Sequence, residues 1–415
     1  MSVLKSECLQ LLQERGFIYQ ATDIEALDEL FQKGRVTGYT GFDATAKSLQ
    51  VGNLSALMVL RWMQKLGHRP LVVIGGGTSR IGDPSFRQSE RPLMTLEQVQ
   101  DNIDGISKVF RKVLTFGDGP SDAVLLNNAD WLLDLGYIEF LRDYGCHFTV
   151  NRMLSFDSVK TRLDKEDPLS FLEFNYMLLQ AYDFYYLNKH YGCVLQMGGS
   201  DQWGNIVNGV ELTRKLAQTA VYGLTAPLVT NASGQKLGKS VDGAIWLNPE
   251  MRSPYDYWQF WRNTDDRDVG RFLKKYTELP MDEIAKLEAL QGEEINEAKK
   301  ILADEATALL HGREALDSIR LTVASVFSKE GADLSSLPEH TVSTKQLPMT
   351  LDDLFVAAGL CESKGEFKRL VSGGGAKIDG RRIDDPKQTL TVQDFSNGRV
   401  ILSVGKKTFL QVTLS

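Results

Sequence analysis

Cysteine and histidine are scarce in this chain of 415 residues. The four cysteines, Cys8, Cys146, Cys193 and Cys361, are scattered without a Cys-x-x-Cys pair, which argues against a disulfide framework and a cysteine-rich zinc site. The five histidines (His68, His147, His190, His311 and His340) show no metal-ligand spacing and read as loop or surface residues. No apolar run approaches the roughly 18 residues that would span a bilayer. Met1–Gly16 lacks the basic start and apolar stretch of a signal peptide and reads as an amphipathic helix. Basic surplus is missing too: the formal charge of −7 excludes a DNA coater held by bulk basicity. These absences leave a reduced, cytoplasmic protein with neither membrane nor DNA as partner. Its 42% hydrophobic content can build a large core without disulfides or metals.

At about 150 residues per domain, the length implies two to four domains. Charge is uneven along them. Residues 349–415 carry 10 Lys and Arg against 8 Asp and Glu, a net +2, so residues 1–348 hold −9. The sign changes after a Ser/Pro/Thr-containing stretch, 331–348, which reads as a linker with little to bury. Up to about Asn248, short apolar runs alternate with helical patterns, as in a parallel sheet wrapped by helices. Strands are expected at 35–42, 71–74, 124–127 and 194–197, and helices at 53–66, 170–189 and 205–216. Residues 253–329 read as almost wholly helical. Beyond the linker, short helices at 350–358 and 363–371 precede strands at 376–378 and 400–403.

Five clusters have chemical potential. Tyr39–Leu54 (YTGFDATAKSLQVGNL) runs from strand to polar loop to helix start, an arrangement suited to phosphate but often only a turn. Gly75–Gly77 follows a strand, yet Arg80 stands where a dinucleotide fingerprint needs its third glycine, so a structural turn is the simpler reading. In FLEFNYMLLQAYDFYY, Tyr176, Gln180 and Asp183 share one helical face among aromatics. That stripe is either a ligand-facing set or a satisfied core network. Gly198–Asn205 (GGSDQWGN) puts Asp201 and Gln202 at a strand end, as ligand groups or as a helix cap. Lys236-Leu237-Gly238-Lys239-Ser240 is not a P-loop, because Ser233 occupies the required glycine position. Its two lysines could still clamp a polyphosphate.

In this order and spacing, the clusters resemble the bacterial-type tyrosyl-tRNA synthetases, class I enzymes, over essentially the whole chain. The KLGKS segment corresponds to the family's KMSKS loop, and residues 363–383 (SKGEFKRLVSGGGAKIDGRRI) resemble the small RNA-binding domain first seen in ribosomal protein S-four. The resemblance implies an α/β fold: a Rossmann-like parallel-sheet catalytic domain (1–248), an all-helical anticodon-side domain (249–330), the linker (331–348) and a small α+β RNA-binding domain (349–415). It also implies the reaction, in which tyrosine and ATP give tyrosyl-adenylate and pyrophosphate and tyrosine then passes to the 3′ end of tRNA(Tyr). ATP with Mg²⁺ would be substrate, with no tightly bound prosthetic group, no protein metal site and a homodimeric assembly. By motif position, Tyr39 and Asp183 would meet the substrate phenol, and Tyr176, Gln180 and Asp83 its ammonium group. Asp43 and Gln202 would lie near its carboxylate and the α-phosphate, and Asp201 at the ribose. Gly41, Thr45, Gln50, Gly52, Asn53 and Gly199 would face ATP, and Lys236, Lys239 and Ser240 its phosphates. Lys236, Lys239, Thr45, Gln50 and Asn53 form the expected catalytic set. In the tail, Lys364, Lys368, Arg369, Lys406 and Lys407 are the expected tRNA contacts.

The one departure is in the QVGN segment, where the family usually has histidines; Gln50 and Asn53 can donate hydrogen bonds but cannot become cationic. This reads as tolerated variation with retained activity. The rivals are a tryptophanyl-tRNA synthetase, which shares the fold, and a synthetase-derived RNA-binding protein without catalysis. The Tyr39/Asp183 pair disfavours the first, and the intact KLGKS loop disfavours the second.

Overall fold

The computed structural model describes residues 3–85, 94–240, 243–328, 337–395, 398–405 and 408–415. A short strand, β1 (Gln20–Ala21), begins a six-stranded sheet that continues with β2 (Thr37–Phe42), β3 (Arg69–Ile74), β4 (Val124–Asn127), β5 (Leu195–Gly199) and β6 (Tyr222–Ala226). Leu71, Val72, Val73 and Ile74 are all buried, the continuous apolar run of a strand covered on both faces. The order across the sheet is β1-β6-β5-β2-β3-β4, with β2 to β6 parallel and β1 antiparallel to β6. The chain lays down β2, β3 and β4 outward and then returns to the other side of β2 for β5 and β6. Between β2 and β5 the direction reverses, and open α/β sheets bind ligands at the carboxyl ends flanking such a point.

The helix expected over 170–189 is two helices, Phe171–Phe174 and Tyr176–Tyr191. Asn175 sits at the break, where its side chain donates to the Phe171 carbonyl at 2.6 Å and competes with the helical ladder. After β6, the strands β7 (Lys239–Ser240) and β8 (Gly243–Ala244) form a small antiparallel hairpin. A strand there, rather than a helix, agrees with the exclusion of a P-loop.

The chain forms two compact units, one of residues 1–248 with 265–298, the other of residues 249–264 with 299–415. The described part of the stretch 249–330, residues 249–328, is largely helical as expected, but it is shared between these units. The Val269–Tyr276 helix buries Val269, Phe272, Leu273 and Tyr276. Its carboxyl end belongs with the first unit because Arg15 donates to the carbonyls of Lys274, Thr277 and Leu279 at 2.9, 3.0 and 2.6 Å.

In the second unit, β9 (Glu339–Val342), β10 (Met349–Thr350), β11 (Ala376–Ile378), β12 (Arg381–Arg382), β13 (Thr389–Leu390), β14 (Arg399–Val404) and β15 (Thr408–Leu414) surround two helices, Leu351–Ala357 and Lys364–Ser372. Five of the strands form a sheet in the order β12-β11-β14-β15-β9. Phe355 and Phe367, 4.4 Å between ring centroids, are buried in its core with Val400, Leu402 and Val412. The stretch 331–348 is therefore not only a linker. Its residues 339–342 are the edge strand β9, paired in parallel with β15, and Val342 is buried. A polar, Pro-flanked strand of four residues at a sheet edge carries almost no period-2 signal.

Candidate active site

The loops that leave β2, β3, β4 and β5 converge at the carboxyl edge of the sheet, and the Tyr176–Tyr191 helix closes one side. A cavity of about 780 Å³ lies there. Tyr39, Gly41, Asp43, Thr45, Gln50, Gly52, Asn53, Asp83, Tyr176, Gln180, Asp183, Gly199, Asp201, Gln202 and Lys236 all line it. Five segments separated by as many as 197 positions thus meet in one place. The side chains of Lys239 and Ser240 lie outside the described ones, as do Lys406 and Lys407.

The inner end of the cavity is built around Asp183, which is 4% exposed. Its Oδ2 accepts from Asn128 Nδ2 at 3.0 Å and its Oδ1 from the Trp131 indole N–H at 2.7 Å. Burial still pushes the carboxyl up to about 7, against the pull of those two donors. Tyr39, on β2, is fully buried, and its hydroxyl meets no protein partner. Burial and the nearby Asp183 hold that phenol well above its ordinary value, so it stays protonated. A protonated donor and a buried acceptor carboxylate thus share one end of the cavity.

Asn128 and Trp131 escaped the reading of the sequence, although Asn128 directly follows the expected strand 124–127 and so sits at the ligand edge. Asn128 also ties the tri-glycine turn to the site: its Oδ1 accepts from Gly77 N at 2.8 Å and its Nδ2 donates to Thr78 Oγ1 at 3.1 Å. That turn is structural, as expected, but it also forms part of the wall. A Cβ on Gly75 would lie 2.3 Å from Asp43 Oδ1, and one on Gly76 would lie 2.1 Å from Asn127 Oδ1. Only glycine lets the three loops approach so closely.

Midway along the cavity, Tyr176 donates to Asp43 Oδ2 at 3.1 Å and Thr78 donates to Asp43 Oδ1 at 2.9 Å. Burial, with Asp43 beside it, keeps the Tyr176 phenol protonated, so its lone pairs face the cavity as acceptors. Gln202 donates to Asp83 Oδ2 at 2.7 Å while accepting from Asn205 Nδ2 at 3.1 Å. Asp201 is pushed up by burial and drawn back by Lys236.

The outer end is a helix start facing a hairpin. The Val51–Lys65 helix begins at Gln50, whose backbone N–H donates to Asn53 Oδ1 at 3.0 Å. Asn53 therefore spends its carbonyl on the helix start and keeps its NH₂ donors free for a ligand. Lys236 lies on the hairpin 229–237, where Leu237 N donates to the Val229 carbonyl at 2.8 Å and Thr230 pairs directly opposite Lys236. Gln50 pairs with Trp246 beyond the hairpin, and Val51 N donates to the Ile245 carbonyl at 3.0 Å. The QVGN and KLGKS segments thus lie side by side.

Residues 32–328 match the family model of class I tRNA synthetases (W and Y), and residues 349–396 match that of the S4 domain. A tyrosine–tRNA ligase of Rhodospirillum rubrum is 56% identical over 409 residues, covering 98% of each chain. This chain belongs to the class I tyrosine–tRNA ligases. A second relative in the family, from Ruegeria pomeroyi, is 55% identical over 411 residues, or 99% of each chain. Among solved structures, a C-terminally truncated mitochondrial tyrosyl-tRNA synthetase of Aspergillus nidulans shares 32% identity at a TM-score of 0.70. The match covers 78% of this chain and 95% of that one. Tyrosine–tRNA ligase membership accounts for the parallel-sheet body and the S4 domain together, and the identity to tyrosine enzymes disposes of the tryptophan alternative.

Proposed function

We propose that this chain activates L-tyrosine with ATP, releases pyrophosphate, and transfers tyrosine from the adenylate to the 3′ end of tRNA(Tyr). The observation that carries this reading is the pairing of the unpartnered Tyr39 hydroxyl with the Asp183 carboxylate at the inner end of the cavity. A substrate phenol would accept from Tyr39 and donate to Asp183. Phenylalanine would leave both buried groups unpaired, and tyrosyl-tRNA synthetases are themselves the standard instance of that kind of rejection. The substrate ammonium would sit among the lone pairs of Tyr176, the Gln180 carbonyl and the Asp83 carboxylate.

A carboxylate is already a nucleophile, so activation needs alignment and charge stabilisation rather than a Ser, Cys or His base. Gln202 and the Asp43 loop would set the substrate carboxylate against the α-phosphate. Asp201 would bind the ribose, while Thr45, Gln50, Asn53 and the backbone of Gly41, Gly52 and Gly199 hold ATP. Lys236, with Lys239 and Ser240, would neutralise charge that develops on the leaving pyrophosphate. Mg²⁺ would arrive on the ATP phosphates; among the described residues no group of three His, Cys, Asp or Glu could hold a metal.

The S4 domain would grip tRNA through exposed Lys368 and Arg369. Lys364 contributes less, because its amine lies 2.5 Å from Asp353 and 3.7 Å from Asp352. A homodimer is supported by the exposed apolar side chains of Leu133, Tyr137, Ile138, Val150 and Phe171, all from the segment between β4 and the Tyr176–Tyr191 helix. No helix among the described residues is long and apolar enough to cross a membrane. The test is charging of tRNA(Tyr) with labelled tyrosine. Tyrosine should be esterified, phenylalanine and tryptophan should not, and charging with tryptophan instead would overturn the reading.

A further inference from the structure

The Val269–Tyr276 helix contributes no residue to the cavity wall, yet it is fastened to the hairpin that bears Lys236. Asp268 stands at its N-cap position but its side chain accepts from no backbone N–H of that helix. An N-cap aspartate usually spends its carboxylate there. Here Oδ2 instead accepts from Ala232 N–H at 2.7 Å and Oδ1 from Arg271 at 2.5 Å. Arg271 also donates to the Thr230 carbonyl at 2.5 Å. Asp268 is 3% exposed and the Arg271 side chain 41%, so the clamp, a buried carboxylate with a surface guanidinium, closes on one strand of the hairpin.

Hydrogen bonds across the hairpin connect the clamp to Lys236. Thr230, held by Arg271, is the cross-strand partner of Lys236. Between them, Asn231 Oδ1 accepts from Ser233 N and Gln235 N at 3.1 and 2.9 Å, which fixes the turn. The far end of the Val269–Tyr276 helix is anchored as well. Beyond the Arg15 contacts, Glu278 Oε1 receives Arg61 and Lys65 at 2.5 and 2.9 Å, both from the helix that begins at Gln50 and Asn53. The two ends of the ATP-facing region therefore share one support.

The geometry points to Asp268 and Arg271 as positioning residues for Lys236 in adenylate formation. The inference rests on the proposed function, which gives Lys236 the developing charge on pyrophosphate. Stabilisation of that charge depends on where the amine is held, and a misplacement of about 1 Å is enough to cost rate. Neither clamp residue touches the groups assigned to tyrosine.

The test is a double-mutant cycle on the full-length chain, read by tyrosine-dependent ATP–pyrophosphate exchange and by equilibrium tyrosine binding. Arg271→Ala should lower kcat roughly tenfold while the tyrosine Kd stays within about twofold. Arg271→Lys should recover part of the loss. In a Lys236→Ala background, Arg271→Ala should add almost nothing, because its effect acts through the missing amine. Full multiplicative loss in that background, or a parallel weakening of tyrosine binding, would overturn the inference. Asp268→Asn provides a near-isosteric second variant with the same expectations. Hydrogen exchange at the amides of Ala232 and Leu237 reads the clamp without any activity. Arg271→Ala should lower their protection, and unchanged protection contradicts the clamp. An inactive wild-type chain with an intact clamp would instead sink the proposed function.

Discussion

Trp131 and Asp183 are joined by an indole hydrogen bond of 2.7 Å at the closed end of the cavity. With Asn128 on the other carboxylate oxygen, both protein partners of Asp183 are donors. Neither can accept a proton from a neutral carboxylic acid. These two donors favour the ionised form, and burial, with the charge of Asp43, opposes it.

That opposition sets a pH dependence. With Asp183 titrating at about 7 in the free protein, a phenol O–H brought in as a third donor binds the ionised form. Tyrosine Kd should therefore fall as pH rises through 7 and level off above it, in equilibrium dialysis. Asp183→Asn should bind weakly with no such slope. The shift also has a stability sign, since a carboxyl raised from 3.8 contributes stability fully present below that value and lost as pH rises through 7. An upward trend in Kd across the same range would contradict the assignment.

Trp131→Phe separates the hydrogen bond from the packing. The Trp131 ring stacks on Tyr186 at 4.5 Å, and phenylalanine can keep most of that contact. Removing one hydrogen bond to a buried charge costs about 1.5–3 kcal/mol, so tyrosine should bind roughly tenfold or more weakly while the fold is retained. Tyrosine Kd and thermal melting measured on the same sample check this.

Gly75→Ala tests the close approach of the loops. The added methyl would lie 2.3 Å from Asp43 Oδ1, inside any real contact distance. Asp43 would have to move, breaking its bonds to Thr78 and Tyr176. Exchange activity should drop by about two orders of magnitude or more, as misplaced alignment groups cost, with a smaller loss of thermal stability. Activity within about threefold of wild type would remove Asp43 from the alignment role.

The position of β9 changes how the tail should be cut. Removing 349–415 strips β9 of its partner β15 and bares the buried Val342, so that truncation should aggregate. Removing 337–415 takes the strand with its sheet. The shorter chain should retain adenylate formation and lose most tRNA charging. Equal charging with and without 337–415 would show that the S4 domain has no grip on tRNA.

Legibility followed periodicity and local motif. β3, β4 and β5 were readable as apolar runs that end in or lead into glycine or asparagine, β2 as the stretch 35–42 ahead of a polar loop, and Tyr176, Gln180 and Asp183 as one helical face. Their meeting with Asp43, Gln202 and Lys236 was readable only through family resemblance, because the crossover that brings β5 beside β2 leaves no local mark. Asn128 and Trp131 were missed since a lone amide and a lone indole after a strand look like any cap and core residue. The Asp268–Ala232 clamp was out of reach for the same reason: DDRD before a helix reads as capping, and only the fold shows the carboxylate turned to another segment. The reading of 331–348 as a linker missed the strand at 339–342 because β9 is stabilised by a partner about 70 residues away rather than by its own pattern.

The central claim is that Tyr39 and Asp183 make this cavity a reader of a phenol for adenylate formation. ATP–pyrophosphate exchange by the purified chain at saturating ATP tests it most directly, with tyrosine and phenylalanine compared at equal concentration. Rapid exchange with tyrosine and a rate near background with phenylalanine are expected. No tyrosine-dependent exchange, or equal exchange with both amino acids, would contradict it.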